Sequence, residues 1–163
     1  MKAYAGIGSR QSPTEVLERM KKLAEVLAQL GYILHSGAAE GADSAFEAGC
    51  DMAKGQKEIY LPWPKFNGHS SRFTAPTQQA MQLAELYHPA WKKCTQGVQK
   101  LHARNMHQIL GINLDTPVNF VLCWHKNKGG TMQAVRLAVQ RKIPVFNLAE
   151  MTDNEILEEI RQL

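Results

Sequence analysis

Ser36-Gly37-Ala38-Ala39-Glu40-Gly41-Ala42-Asp43 is the stretch on which the reading of this chain turns. It follows the apolar run Tyr32-Ile33-Leu34-His35, and Asp43 to Cys50 continues it with helical spacing. Small side chains from Ser36 to Ala39 leave the backbone itself as the available surface, and a helix start favours negative charge. Two other turns repeat the arrangement. Gly6-Ile7-Gly8-Ser9-Arg10 follows the apolar run from Ala3 to Ile7, and Gly129-Gly130-Thr131 follows the run from Val118 to Trp124. Strand, glycine turn and helix in repeated succession predict parallel strands joined by right-handed crossovers.

Outward from these turns the remaining elements fall into place. Ser12-Pro13-Thr14-Glu15 reads as a helix start, with Ser12 as N-cap and Glu15 completing a capping box. Val16, Leu17, Met20, Leu23, Ala24, Leu27 and Leu30 give that helix one apolar face, and Gly31 stops it. Glu58 to Leu61 is a third strand, Val118 to Trp124 a fourth and Ile143 to Leu148 a fifth; Thr131 to Arg141 and Thr152 to Leu163 are helices. Trp63 to Thr74 reads as a loop, and Ala75 to Gly111 as a helical insertion broken near His88-Pro89. The expectation is one α/β domain over residues 1–163. It has about five mainly parallel strands in the order 3-2-1-4-5, with helices on both faces. That order places the first and fourth turns side by side at the topological switch point, where such sheets bind ligands.

Composition narrows the function classes. With 44% hydrophobic and 21% charged residues, the 163-residue chain can bury a core. No apolar run approaches a membrane span and no leader pattern opens the chain, so a cytoplasmic protein is expected. Cys50, Cys94 and Cys123 form no C-x-x-C pair, no histidine pair has zinc-helix spacing, and the spacing implies no metal and no cofactor. A net charge of +4 tolerates an anionic partner.

The three turns suit a phosphorylated ligand. Gly8 admits close backbone approach, Ser9 donates a hydroxyl, and Arg10 clamps a phosphate. Ser36, Gly37 and Ala38 present backbone, and Gly129, Gly130 and Thr131 open a helix toward an anion. Asp43 is open to three roles: capping its helix, holding a ribose hydroxyl, or acting as a base. Glu40 is the other carboxylate of the turn. Trp124, at a strand end near Gly129, is the best-placed aromatic to stack on a base, ahead of Trp63, Phe66 and Trp91. His102, Arg104 and Asn105 of the insertion either project toward the crevice or face solvent as ordinary polar residues, the second reading being slightly favoured.

The combination Gly-Ile-Gly-Ser-Arg, Ser-Gly-Ala-Ala-Glu-Gly-Ala-Asp and Gly-Gly-Thr-Met-Gln-Ala resembles the SLOG superfamily of Rossmann-like domains, from Tyr4 to Leu148. The first two motifs are most similar to the DNA processing protein A branch, and the whole to small stand-alone members found in bacteriophage genomes. That resemblance implies a nucleotide or nucleotide-derived ligand, possession of single-stranded DNA binding as in the recombination mediators, or N-glycosidic hydrolysis of a nucleotide. It also implies a homodimer or higher homo-oligomer. The phosphoribohydrolase branch has a catalytic glutamate where this chain has Ala134, so a hydrolase of that kind would depend on Glu40 or Asp43.

Overall fold

A computed structural model of the protein describes all residues, Met1–Leu163. Five strands, β1 (Ala3–Gly8), β2 (Ile33–Ser36), β3 (Lys57–Ile59), β4 (Phe120–Trp124) and β5 (Val145–Asn147), form one sheet in the order β3-β2-β1-β4-β5. Every pairing is parallel, with Ala5 beside His35 on one flank and Val121 on the other. The expected α/β class and strand order hold.

Helices α1 (Thr14–Gln29), α2 (Ala42–Met52) and α6 (Asp153–Arg161) cover one face. Helices α3 (Gln78–Tyr87), α4 (Gln96–Leu110) and α5 (Thr131–Gln140) cover the other. The period-2 alternation of strand side chains divides the core accordingly. Tyr4, Leu34, Phe120 and Leu122 point to the first face, and Ala5, Ile7, Val121 and Cys123 to the second. At the centre of the first face Tyr4 stacks on Phe120 with ring centroids 5.5 Å apart, and Phe120 meets Tyr32 edge-on at 5.3 Å.

The insertion is two helices, α3 and α4, with a 3-10 turn (Trp91–Lys93) between them. Thr77 and Thr95 cap them through their side-chain oxygens, accepting the N–H groups of Ala80 and Val98. The cap expected from Ser12 is not formed. Pro13 occupies the N-cap position of α1, and the Ser12 hydroxyl turns back to donate to Ser9 O at 2.6 Å. Ser12 therefore tightens the first glycine turn instead of closing the helix behind it. The one capping box lies at α6, where Thr152 and Glu155 bond reciprocally.

The loop after β3 is anchored by aromatic packing. Phe66 is buried with Ile59 and Leu61, and Trp63 meets Phe66 edge-on at 5.2 Å. Tyr60 lies between Phe73 and His107, with centroids 4.7 and 5.6 Å away.

Candidate functional site

β1 and β4 stay paired through Gly8 and Trp124, and at their C-terminal ends, the switch point, a cavity of about 440 Å³ opens. Its sheet side is built from the first and third glycine turns, Gly8 to Gln11 and Lys128 to Thr131, with Ala39 and Asp43 from the second. Its opposite wall is α4, through Val98, Leu101, His102, Arg104, Asn105 and Gln108.

Each turn is shaped for close backbone approach. A Cβ on Gly8 would lie 2.7 Å from the Ala42 Cβ, so the strand end and α2 meet only because that atom is absent. Gly41 has φ +84°, and a Cβ there would lie 2.9 Å from Arg10 O. The second turn thus presses on the backbone of the first, and glycine is required at position 41 both by conformation and by space. Ala38 adopts φ 60°, a left-handed conformation that costs a non-glycine residue roughly 1–2 kcal/mol. Its carbonyl accepts Asn67 Nδ2 at 2.9 Å, and its side chain is buried with Ile59 and Phe66, which offsets that strain.

The hydroxyl of Ser9 accepts the Gln11 N–H at 3.0 Å and retains its own proton to donate. Arg10 is exposed at the rim, its guanidinium free to turn inward. Gly129, with φ +91°, has open space around it, and α5 begins after Gly130 with no side-chain cap. The Met132 and Gln133 N–H groups donate to Gly129 O and Gly130 O, which leaves those of Gly130 and Thr131 to face the cavity at the start of α5.

Two buried groups of opposite charge stand behind these turns, near enough to influence each other but not joined by a salt bridge. Asp43 is 5% exposed and accepts the Ala39 N–H at 3.1 Å; Arg104, also 5% exposed, donates to Gly37 O and contacts Tyr60 O at 3.4 Å. Burial pushes the Asp43 carboxyl above its ordinary value, against the pull of the Arg104 guanidinium and the Ala39 N–H. Burial likewise holds Arg104 below its ordinary value, while Asp43 opposes that shift. Gly37 makes the pair possible: a Cβ there would run into the Arg104 guanidinium and the Gln108 amide.

The structure distributes the residues picked out from the sequence. Gly8, Ser9, Arg10, Asp43, Gly129, Gly130 and Thr131 come together around the cavity. Ser36, Gly37 and Ala38 lie behind its wall, where the Ser36 hydroxyl donates to Gly6 O at 2.7 Å. Glu40 is exposed and lies outside the lining, so Asp43 is the carboxylate present in it. Trp124 is also outside. As the strand neighbour of Cys123 it points to the opposite sheet face, packing against the core under α1 and α6, with Lys126 Nζ 5.8 Å from its ring centroid. Trp63, Phe66 and Trp91 do not reach the cavity either.

Of the two readings of His102, Arg104 and Asn105, the structure takes the one less favoured from sequence: they line the cavity. Their helix lies across the strand ends, which turns its polar side toward the site. Gly37 is where the close passage shows: a Cβ there would meet the Gln108 amide and the Arg104 guanidinium.

No protein-family model matches this sequence, and no curated protein matches it. Among solved structures, 90% of the chain superposes on the DNA processing protein A of Helicobacter pylori, described by its single-stranded DNA binding mode, with TM-score 0.59 and 20% identity. The DNA processing protein A of Streptococcus pneumoniae gives 0.58 at 16% identity, again over 90% of the chain. The molybdenum cofactor carrier protein of Chlamydomonas reinhardtii gives 0.56 at 17% over 90% of the chain and 75% of that protein. The chain spans 64% and 49% of the two DNA processing proteins. At these identities the likeness is one of fold: a Rossmann-like α/β sheet shared with a single-stranded DNA-binding protein and a cofactor carrier.

Proposed function

We propose that this protein binds a nucleotide or nucleotide-derived phosphorylated ligand in the switch-point cavity. The observation that carries the reading is the convergence of two glycine turns, the unblocked start of α5, and Arg10, Arg104 and Lys128 on one cavity of about 440 Å³. That volume falls in the range of roughly 300–1,000 Å³ common for small-molecule sites. Phosphate oxygens take the Ser9 hydroxyl, the Arg10 guanidinium and the N–H groups at the Gly130–Thr131 helix start. The less polar part of the ligand rests on Val98 and Leu101 of α4, in place of the stacking on Trp124 suggested by sequence. Asp43 accepts a hydroxyl or N–H of the ligand, or protonates when an apolar group covers it.

Calorimetric titration with a panel of nucleoside mono-, di- and cyclic phosphates tests this. Saturable binding by at least one member, abolished or strongly weakened by Arg10→Ala, is expected. No heat from any member refutes the reading. Mass spectrometry of small molecules released on denaturing the purified protein gives an independent answer.

A second reading is single-stranded DNA binding, favoured by the fold likeness to the two DNA processing proteins and by the net charge of +4. Its mark is a steep fall of log K with log salt, since each phosphate contact releases a counterion. Salt-independent retention, or none at low salt, removes it.

A further inference from the structure

Three potential metal ligands converge next to the cavity from separate segments. His88 follows α3, Cys94 follows the 3-10 turn, and His102 lies within α4. One ligand atom from each lies within 4.8 Å of the other two. Cys94 Sγ is 3.9 Å from His88 Nδ1 and 3.7 Å from His88 Nε2, and the rings of His88 and His102 are 4.7 Å apart. A tetrahedral ion with Zn–S near 2.3 Å and Zn–N near 2.0 Å sets sulfur and nitrogen about 3.5 Å apart. The cluster therefore already stands close to coordinating span.

A second observation points the same way. His102 Nδ1 and Gln133 Oε1 are buried without hydrogen-bond partners, although Gln133 sits against the His102 ring. A metal-bound histidine ordinarily directs its other nitrogen at a carbonyl of this kind, which fixes the tautomer.

We propose that His88, Cys94 and His102 form a binding site for a zinc-class divalent cation. The donor set decides the class: one thiolate and two imidazoles, with no carboxylate, suit zinc and not magnesium or calcium. His88 supplies the Nδ1 lone pair that otherwise accepts the Ala90 N–H at 3.0 Å. Cys94 gives up the thiol proton it directs at Ala90 O, so binding releases one proton. Three protein ligands leave a fourth position for water or a bound ligand. His102 also lines the cavity, so the ion ties the α3–α4 loop to the cavity wall. The proposal does not depend on what the cavity binds.

The test is addition of Co²⁺ to the reduced, chelator-stripped full chain. A thiolate-to-cobalt charge-transfer band with ligand-field bands of tetrahedral intensity is expected, both removed by stoichiometric Zn²⁺. Cys94→Ser, shown folded by its circular dichroism, should lack the charge-transfer band. His88→Ala and His102→Ala should each lower zinc affinity more than about tenfold, since even outer-shell losses cost 10–100-fold. Absence of the band in the folded wild type overturns the site, as does its survival in Cys94→Ser. If Cys94→Ser does not fold, unchanged zinc affinity in His88→Ala overturns it equally.

Discussion

Replacing Arg104 by methionine isolates the buried charge behind the glycine turns. Methionine keeps the length of the side chain but removes the donors to Gly37 O, Tyr60 O and Asn105 Oδ1, and it leaves Asp43 facing no cation. Each buried acceptor left without its donor costs about 1–3 kcal/mol, so stripping Gly37 O and Tyr60 O of the guanidinium costs about 3 kcal/mol in all. In a domain of this length each kcal/mol moves Tm by roughly 2–4 °C, so a drop of about 6–12 °C follows. Urea unfolding of wild type, Arg104→Met, Asp43→Asn and the double variant at pH 7 closes the cycle. The double variant should be more stable than the two single losses predict by about 1–2 kcal/mol, because neither partner then remains as an unpaired charge. A loss below about 0.5 kcal/mol for Arg104→Met, or additive single effects, refutes the claim that the two charges support each other.

Arg10→Ala should weaken phosphorylated-ligand binding by about 1.5–3 kcal/mol, roughly ten- to hundredfold, because Arg10 is exposed and free to engage the ligand. Its Tm should stay within a degree or two of wild type; a large Tm loss contradicts that placement. Trp124→Phe should leave affinity for the same ligand unchanged, since the ring packs on the opposite sheet face; a strong loss on titration would put the base where the sequence first suggested. Gly37→Ala should cost about 1–3 kcal/mol in urea unfolding by displacing the Arg104 guanidinium, and a neutral result would show that the helix yields freely. Stability should fall as pH drops below about 6.5. Burial lowers the folded-state pKa of His35, His102, His107 and His125, so the unfolded chain takes up protons first. His107 Nε2 accepts the Thr77 N–H at 3.1 Å, a bond that protonation destroys, so His107→Gln should flatten the urea midpoint against pH.

The sheet was legible because its signals are local. Glycine turns after apolar runs and helical spacing before the next run are read within about ten residues, and crossover handedness then constrains the order. The sheet side of the cavity was legible for the same reason. Its α4 wall was not. Period 3.6 shows that Leu101, Asn105 and Gln108 share a face, but not whether that face meets solvent or the strand ends. Arg104 was weighted toward the surface because a charged residue usually lies there, whereas the carbonyls of Gly37 and Tyr60 and the nearby Asp43, all distant in sequence, make its burial tolerable. Trp124 was misplaced by a related limit: alternation separates it from Cys123 without saying which face carries the cavity. Ser12 had the spacing of a cap, yet the nearer Ser9 carbonyl won its hydroxyl.

The two walls of the cavity differ in what mutation can reach. On the sheet side, Gly8, Gly129 and Gly130 offer main-chain groups, which no substitution at those positions can exchange for different chemistry. On the α4 side, from Val98 to Gln108, every contact is a side chain, spread over about 15 Å of helix. Drift on the α4 side therefore alters the shape and polarity of the cavity one helical turn at a time, while the main-chain groups facing it stay as they are.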